Sequence, residues 1–500
     1  MNKKEETIKK RPPVVVIMGH IDHGKSTLLD YIRKSNIVDS ETGGITQRIS
    51  AYEVLHKNEE GLEEKITFID TPGHEAFSKM RERGAQLADI AILIVSAEDG
   101  VKPQTIEAWK TIVESGLPAI VAINKIDKPG ANVEKTKTEL AEKEIYLENY
   151  GGTVPFVEIS AKAGTGVDSL LSLILILAEM EAFTGDSSTG ATGFVLEANL
   201  DPKRGIEATL LIKNGHIQNG MTVVVENSIC STRIMESFLG KMIKEATFSS
   251  PIRIVGFSKM PRVGAEFKTF VKKSDAEEYA KNWKEDISSS SKNPREHTEK
   301  KIIPIMLKAD VAGSLEAIEK EIAKIENDSA EFKVIAKGVG AITLSDIKSL
   351  ATGEDMLVIG FNVKTDRSAV EEAEKRGIVI SPFQIIYKMT EWLEEQMEHL
   401  RPKIETVEVT GRIKIIRAFS RTKERQILGG KVIEGEINLN SIVKIIRRDF
   451  EIGRGKIVNL EKGKVKTSVV EEGLEFGMMI ESKIEIVSGD TLESFSIIQK

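Results

Sequence analysis

The sequence has a single cysteine, Cys230, among its 500 residues. One cysteine excludes an intramolecular disulfide and a metal site built from cysteines, which favours a reducing compartment. Long hydrophobic runs are also missing, because the longest unbroken apolar stretches, such as 173–178, are far too short to span a bilayer. Residues 1–11 are charged and have no apolar core, so they do not resemble a secretory signal. These absences predict a cytoplasmic protein that does not enter a membrane.

A strong excess of charge of one sign is found only locally. The whole chain carries a formal net charge of −7, yet residues 403–466 contain 16 Lys/Arg against 8 Asp/Glu. Such a segment can face phosphates, although a solvated basic face with no nucleic-acid role fits the charge equally well. The length exceeds the roughly 250–300 residues at which single cores stop growing, so several domains are expected.

The first half of the chain changes its patterning after about residue 184. Apolar runs alternate with helix-length segments over 12–184, which predicts a parallel α/β domain after the charged tail 1–11. Residues 190–276 contain short β-rich pieces separated by Asn-Gly turns, a pattern typical of a small antiparallel barrel. The polar, serine-rich segment 277–300 predicts a helix that fades into a flexible linker.

The second half predicts another α/β unit over 301–383 and a connecting helix over 384–402. We expect Pro382 to open this helix, because proline is favoured in a first helical turn. Residues 403–500 return to β patterning and predict a C-terminal barrel, with turns at 429–430, 434–435 and 489–490. The predicted fold is therefore multidomain: an α/β P-loop domain, a β-barrel, a second α/β domain, a long connecting helix and a last β-barrel.

The most informative segment is a glycine-bounded loop between a buried strand and a helix. Backbone N–H groups in such a loop close on an anion, and the helix N-terminus adds its dipole. The lysine would reach the β- and γ-phosphates of a nucleotide, and the serine hydroxyl would ligate Mg²⁺. The predicted nucleotide-binding residues here are Gly19, His20, Ile21, Asp22, His23, Gly24, Lys25 and Ser26.

Two further segments surround the predicted γ-phosphate position. In Asp70-Thr71-Pro72-Gly73-His74, the aspartate can hold Mg²⁺ through water and the Gly73 N–H can meet the γ-phosphate. Thr46 can reach Mg²⁺ only when a γ-phosphate is present, so residues 43–46 are predicted to be a switch. His74 is the predicted catalytic residue, because it can orient the attacking water. No arginine of these segments is a clear activating finger, which predicts slow intrinsic turnover accelerated by a partner.

Two segments that follow later strands predict which base the nucleotide carries. In Asn124-Lys125-Ile126-Asp127, the Asp127 carboxylate can accept from guanine N1–H and the exocyclic amine, while Asn124 supports the ring and loop. Adenine lacks both donors, so its binding would leave the carboxylate unpaired at a cost of roughly 1–3 kcal/mol or more. In Ser160-Ala161-Lys162, the Ala161 N–H can meet guanine O6. The predicted nucleotides are thus GTP and GDP, with Mg²⁺.

These motifs resemble those of translational GTPases, for which Asp-Thr-Pro-Gly-His is the usual form of the second motif. Residues 43–47, 74–77, 309–317 and 358–363 narrow the resemblance to the bacterial type of translation initiation factor two. The resemblance covers the chain from Pro12 onward, without the long N-terminal extension of many members. It implies a GTPase that brings formylmethionyl initiator tRNA to the small ribosomal subunit and promotes subunit joining, with hydrolysis stimulated by the ribosome.

The resemblance also implies partners and further site residues. The expected partners are both ribosomal subunits with their RNA, initiator tRNA and other initiation factors, with the chain itself a monomer. Ribosomal RNA would position His74, and Ile21 with Ile45 would form a hydrophobic gate beside it, with ordinary packing of both side chains as the less favoured alternative. The family's tRNA-end site would involve Gly430, Arg447, Arg448, Lys462, Glu475 and Phe476.

The last domain departs from the family pattern. Gly430 and Phe476 stand where the family has cysteines, and Glu461-Lys462-Gly463 replaces Lys-Arg-Phe. Losing an arginine and an aromatic weakens phosphate pairing and stacking on a terminal adenine. Two alternatives therefore stay open: a translational GTPase with a different tRNA cargo, and a ribosome-binding scaffold that uses the nucleotide as a switch.

Overall fold

A computed structural model describes residues 8–33, 47–58, 60–73, 75–283, 300–325, 327, 329–350, 355–400, 405–463 and 465–499. The chain divides into two compact units, Met1–Leu400 and Arg401–Lys500. In the part that the structure describes, no helix combines the length and apolar character needed to cross a membrane.

A six-stranded sheet with the order β3-β4-β2-β5-β6-β7 forms the first α/β domain. Its helices and strands, with the short strand β1 that precedes them, are β1 Ile8–Lys10, β2 Val14–Gly19, α1 Lys25–Arg33, β3 Ser50–Lys57, β4 Glu63–Asp70, α2 Ser78–Leu87, β5 Ile90–Ser96, α3 Pro103–Glu114, β6 Ala119–Asn124, α4 Val133–Glu142, β7 Phe156–Glu158 and α5 Val167–Met180. Every residue of β2 and β5 is buried, which explains their continuous apolar sequences.

Strand β3 is the part of this sheet that the sequence patterning missed. It lies at the sheet edge, antiparallel to β4, whereas the other neighbouring strands are parallel. Most of its residues are exposed or half-buried, so it lacks the continuous apolar run by which its neighbours were recognised. The sheet is therefore mixed rather than purely parallel.

An antiparallel sheet of seven strands forms the next domain, in the order β13-β12-β17-β9-β10-β16-β14. The helix and strands of this region are β8 Thr184–Asp186, β9 Thr192–Asp201, β10 Gly205–Asn214, β11 His216–Gln218, β12 Thr222–Val225, β13 Ser228–Ser231, β14 Ile234–Ser237, β15 Glu245–Thr247, β16 Pro251–Val255, β17 Glu266–Phe270 and α6 Lys273–Asn282. Strand β8 pairs with β1. The predicted Asn-Gly turns lie on either side of β11, and Gly215 and Gly220 have positive φ there.

A parallel four-stranded sheet in the order β19-β18-β20-β21 forms the second α/β domain. Its helices and strands are β18 Lys301–Ala309, α7 Ala312–Ile322, β19 Ala330–Val339, α8 Leu344–Ser349, β20 Leu357–Phe361, α9 Arg367–Arg376, β21 Val379–Phe383 and α10 Ile386–Leu400. The prediction that Pro382 opens the long helix is wrong, because Pro382 lies within β21 and pairs with Gly360. Strand β21 is at the sheet edge, where a residue without an N–H is tolerated.

The second unit is a closed barrel, because β22 pairs with both β23 and β29 and completes a ring of six strands. The strands are β22 Glu405–Thr422, β23 Arg425–Asn438, β24 Ile442–Arg447, β25 Phe450–Lys462, β26 Val465–Lys466, β27 Val469–Glu471, β28 Glu475–Glu481 and β29 Thr491–Gln499. The turns predicted at 429–430 and 434–435 are wrong, since both pairs lie inside β23. Glycines mark bends and bulges of a small barrel as readily as turns, and the register shifts opposite these positions. The turn at 489–490 precedes β29 as expected.

Candidate nucleotide-binding site

The loop after β2 is closed by its glycines. Gly19 and Gly24 both have positive φ, and a Cβ at either position would overlap a neighbour, Ile94 O for Gly19 and Asn124 Nδ2 for Gly24. The loop therefore turns through space that only glycine fits, and helix α1 begins at Lys25 directly behind it. This is the strand, tight loop and helix N-terminus that an anion site requires.

Lys25 is buried, and its ammonium donates to two carbonyl oxygens of the loop, Gly19 O at 2.9 Å and His20 O at 2.7 Å. Burial lowers the pKa of Lys25 to about 8, with the Asp70 charge opposing this shift. A Cβ on Gly73 would lie 2.5 Å from the Lys25 Nζ, so the turn after β4 reaches the ammonium. The structure thus brings Lys25, Asp70 and Gly73 together. An anion bound here would favour the charged form of Lys25, which burial disfavours.

The oxygen donors beside Lys25 suit a hard cation. Asp70 ends β4 and is buried, and Ser26 lies in the first turn of α1. Among the described residues no group of three His, Cys, Asp or Glu side chains can hold a metal. Mg²⁺ is usually bound by one or two protein ligands together with phosphate oxygens and water, so this sparse donor set fits Mg²⁺ carried with a nucleotide. The predicted ligand Thr46 lies outside the described residues, as do Ile45 and His74.

Asn124 connects the phosphate loop to the predicted base-binding loops. Its Nδ2 donates to His23 O at 2.8 Å, and its Oδ1 accepts from the Ala161 N–H at 2.9 Å. The Ala161 N–H, which the sequence predicts to meet guanine O6, thus already has an acceptor within the chain. A contact with O6 would require the N–H to be shared or released.

Asp127 is held at the edge of this site by Ser160, whose hydroxyl donates to the carboxylate at 2.7 Å. That hydrogen bond is the main reason why the pKa of Asp127 lies below its usual value, and the charges of Lys128 and Lys162 act in the same direction. The ionised carboxylate is an acceptor only, which is the state that a guanine N1–H requires. Lys125 has positive φ and its ammonium lies 3.0 Å from Asp99, which fixes the loop between Asn124 and Asp127.

Two further residues of the phosphate loop, Ile21 and His23, have environments that the sequence did not predict. Gln104 Oε1 accepts from the Ile21 N–H at 3.1 Å. Burial lowers the pKa of His23 to about 3, with the neighbouring His20 acting in the same direction, so His23 is neutral at physiological pH. Gln104 belongs to none of the predicted nucleotide-binding motifs and to no apolar run, so the sequence offers no signal for its role.

The tRNA residues predicted in the barrel separate into two groups. Gly430, Glu475 and Phe476 line one cavity of about 510 Å³, together with Glu461 and Gly463 on either side of Lys462. A Cβ on Gly430 would lie 2.8 Å from the Phe476 ring, so the ring occupies the space of a side chain at 430.

The second group, Arg447 and Arg448, lies at the opposite end of β25, where that strand begins. The Arg447 guanidinium donates to both Asp490 oxygens, at 2.9 and 2.8 Å, and to Glu485 O. These bonds give Arg447 a structural role in the barrel. Arg448 is exposed in the turn that leads into β25.

A buried carboxyl group joins the antiparallel domain to the second α/β domain. Glu197 of β9 accepts from the Ala198 N–H at 2.9 Å and from the Gly313 N–H of α7 at 3.2 Å. Burial raises the pKa of Glu197 to about 7, and the Asp310 charge adds to this while Arg48 opposes it. A folded pKa above the unfolded one of 4.5 means that stability falls as pH rises from about 4.5 to about 7.

We therefore expect Glu197→Gln to stabilise the protein above pH 7 by up to about 3 kcal/mol, the free energy of such a shift. Urea unfolding at pH 5 and pH 8 measures this, since the gain should be small at pH 5. The exposed Glu266→Gln in β17 is the control and should change neither value. A loss of stability at pH 8 would contradict the expected cost of the charged Glu197.

Comparisons with known proteins follow the same domain boundaries. The chain matches the elongation factor Tu GTP-binding domain over residues 10–180, the elongation factor G domain 2 over 190–270 and translation-initiation factor 2 over 276–394. Together with the strand, loop and helix arrangement of the site, these matches define a translational GTPase.

Curated relatives identify the family. The chain is 40% identical over 504 residues to translation initiation factor IF-2 of Bacillus cereus (strain G9842), covering 98% of this chain and 72% of that protein. It is 38% identical to translation initiation factor IF-2 of Rubrobacter xylanophilus, covering 99% and 72%. A solved structure, GDP-bound aIF5B from Aeropyrum pernix, covers 97% of this chain and 92% of its own at 24% identity and a TM-score of 0.46. The chain belongs to the translation initiation factor IF-2 family, and it is a GTPase that acts in initiation of translation.

Proposed function

We propose that this GTPase brings formylmethionyl initiator tRNA to the small ribosomal subunit and promotes joining of the large subunit. The observation that carries this proposal is the site around Lys25, within a chain of this family. Its ammonium is buried against Gly19 and His20 and lies beside Asp70 and Gly73, an arrangement that suits a nucleoside triphosphate. Ribosomal RNA, other initiation factors and a cytoplasmic location follow from the same role, with the chain acting as a monomer.

The residues of the site have separate tasks in this proposal. Lys25 binds the β- and γ-phosphates, and the Gly73 N–H meets the γ-phosphate. Asp127 selects guanine by accepting from the N1–H and the exocyclic amine of the base. Ser26, Thr46 and water on Asp70 would hold Mg²⁺, which supplies charge neutralisation at the phosphates when bound. His74 orients the attacking water, with Ile21 and Ile45 as the gate beside it.

GTP turnover by the purified chain, with and without ribosomes, tests the enzymatic half of the proposal. We expect slow hydrolysis alone and a large stimulation by ribosomes, because the switch segments 43–46 and 70–74 contain no arginine that could act as an activating finger. Equal rates with and without ribosomes would contradict the proposal.

The tRNA half rests on the barrel cavity. Phe419 lines the cavity and is 63% exposed, and the Arg417 guanidinium lies 5.7 Å from its ring centroid. An exposed ring beside a cation is a surface on which a terminal base can stack. The altered residues Gly430 and Phe476, and the structural use of Arg447, support the second candidate, a translational GTPase with a different tRNA cargo.

Binding of formylated and unformylated initiator tRNA to the full chain separates the two candidates. We expect tighter binding of the formylated form, and a loss of about tenfold in Phe419→Ala, which corresponds to one stacked base. Tyr146→Ala is the matched control, since Tyr146 is a 47% exposed aromatic residue of the first α/β domain, outside the barrel. Affinity should also fall steeply with salt if phosphates are contacted. Equal affinity for both tRNAs favours the different cargo.

A further inference from the structure

The turn that carries Gly73 is fixed from two sides. On the sheet side, the Thr71 hydroxyl donates to Ile17 O of β2 at 3.0 Å. On the helix side, Gly84 of α2 lies so close that a Cβ there would be 2.7 Å from Thr71 Cγ2. Helix α2 therefore packs directly on the turn that the proposed function places at the γ-phosphate.

Arg81 is the polar part of this contact. It is 2% exposed, and its guanidinium donates to Pro72 O at 3.3 Å while also pairing with Glu107 of α3. Its positive charge is close enough to Lys25 to lower the pKa of that ammonium, after the larger effect of burial. A second buried cation thus lies beside the phosphate position, behind the turn.

The peptide bond between Pro72 and Gly73 links this contact to the ligand. The Pro72 carbonyl and the Gly73 N–H belong to one planar trans unit and point in opposite directions. A donor that holds the carbonyl on one side therefore fixes where the N–H points on the other. The torsion that follows this peptide unit is φ of Gly73, and glycine restricts φ less than any other residue. The Pro72 carbonyl therefore needs a restraint from outside the turn to hold its direction.

We propose that Arg81 is a positioning residue for γ-phosphate recognition, holding the Pro72 carbonyl so that the Gly73 N–H is directed at the γ-phosphate. This inference rests on the proposed contact between Gly73 and that phosphate. If Arg81 only joined α2 to α3 through Glu107, its loss would affect stability and both nucleotides alike. If it positions the Gly73 N–H, its loss affects GTP and spares GDP, which has no γ-phosphate.

Equilibrium binding of GDP and of a non-hydrolysable GTP analogue to the full chain tests this difference. We expect Arg81→Met to weaken binding of the analogue about tenfold, the loss of one well-placed hydrogen bond. GDP affinity should stay within about twofold, and Arg81→Lys should restore part of the loss because a cation can still reach Pro72 O. Arg83→Met is the matched control, since Arg83 lies on the same helix and pairs with Glu316 at 2.5 Å.

The outcomes distinguish this inference from the proposed function. Lys25→Met should weaken both nucleotides, and if it weakens neither, the proposed site and the role of Arg81 both fail. If Lys25→Met behaves as expected but Arg81→Met weakens both nucleotides equally, or neither, only the role of Arg81 is overturned. Should Arg81→Met fail to fold, Glu107→Ala decides, because Glu107 is partly exposed and the variant removes a carboxylate that orients the guanidinium. A selective loss of the analogue of about threefold is expected there, and its absence overturns the inference.

Discussion

Asp89→Ala is expected to destabilise the first unit by about 3–5 kcal/mol, the usual cost of removing one partner from a buried ion pair. The Asp89 carboxylate accepts from the two terminal guanidinium nitrogens of Arg11, at 2.6 and 2.7 Å. It also accepts from the Lys213 ammonium at 2.7 Å and from the Val14 N–H at 2.8 Å. Arg11 and Asp89 side chains are 8% and 7% exposed. The variant would leave two cations close together without a counter-charge, at the junction of the first α/β domain and the antiparallel domain.

The pH dependence of stability provides an independent check on Asp89. Burial alone would raise the pKa of Asp89, but hydrogen bonds from Arg11 and the charge of Lys213 outweigh it and hold the pKa below 3.8. A lowered folded pKa means that the contribution of Asp89 is complete above its unfolded pKa and is lost as pH falls through the folded one. Wild type should therefore lose this contribution below about pH 4, and Asp89→Ala should not.

Urea midpoints measured by tryptophan fluorescence report this difference in stability. Glu114→Ala is the matched control, because Glu114 pairs with Lys110 on the surface of α3 with both side chains more than half exposed. That variant should cost less than about 1 kcal/mol. A similar small cost for Asp89→Ala would show that the buried cations find other partners.

Continuous apolar strands and phosphate-loop glycines were predictable from the sequence because each is a local pattern. Strands β2 and β5 are buried along their whole length, and Gly24 leaves no space for a Cβ beside Asn124. The edge strands β3 and β21 were missed or misassigned for the opposite reason. An edge strand is half exposed and tolerates proline, so its sequence resembles that of a loop or a helix start.

The rest of the site depends on contacts between residues distant in sequence. The bond from Ala161 N–H to Asn124 spans 37 positions, and that from Arg11 to Asp89 spans 78. No local pattern identifies such pairs, so Arg81, Gln104, Asp89 and Glu197 were not predicted as important. One weak signal was present for Arg81, which shares the buried face of α2 with Met80, Gly84 and Ala85. A charged residue on an apolar face needs a partner, and here the partners are Pro72 O and Glu107.

His74→Ala is expected to reduce ribosome-stimulated GTP hydrolysis by about 10²–10⁴-fold, the usual contribution of a group that positions or transfers the proton in the attack of water. The described neighbours of His74 support this expectation. Gly73 lies against the Lys25 ammonium, and Glu75 binds Lys324 at 3.1 Å where a 3₁₀ turn, Glu75–Phe77, leads into α2. Of the two residues that flank His74 in the chain, Gly73 thus lies at the proposed phosphate position and Glu75 contacts the second α/β domain.

GTP affinity should be unchanged in His74→Ala, because Lys25, Gly73 and Asp127 carry the binding in the proposed site. Single-turnover hydrolysis on ribosomes and equilibrium binding of GTP measure the two effects separately. His56→Ala is the control, since His56 lies on the edge strand β3 and contacts Ser172 of α5 at 3.1 Å. It should hydrolyse GTP at the wild-type rate. Wild-type hydrolysis by His74→Ala on the ribosome would assign the orientation of water to another group.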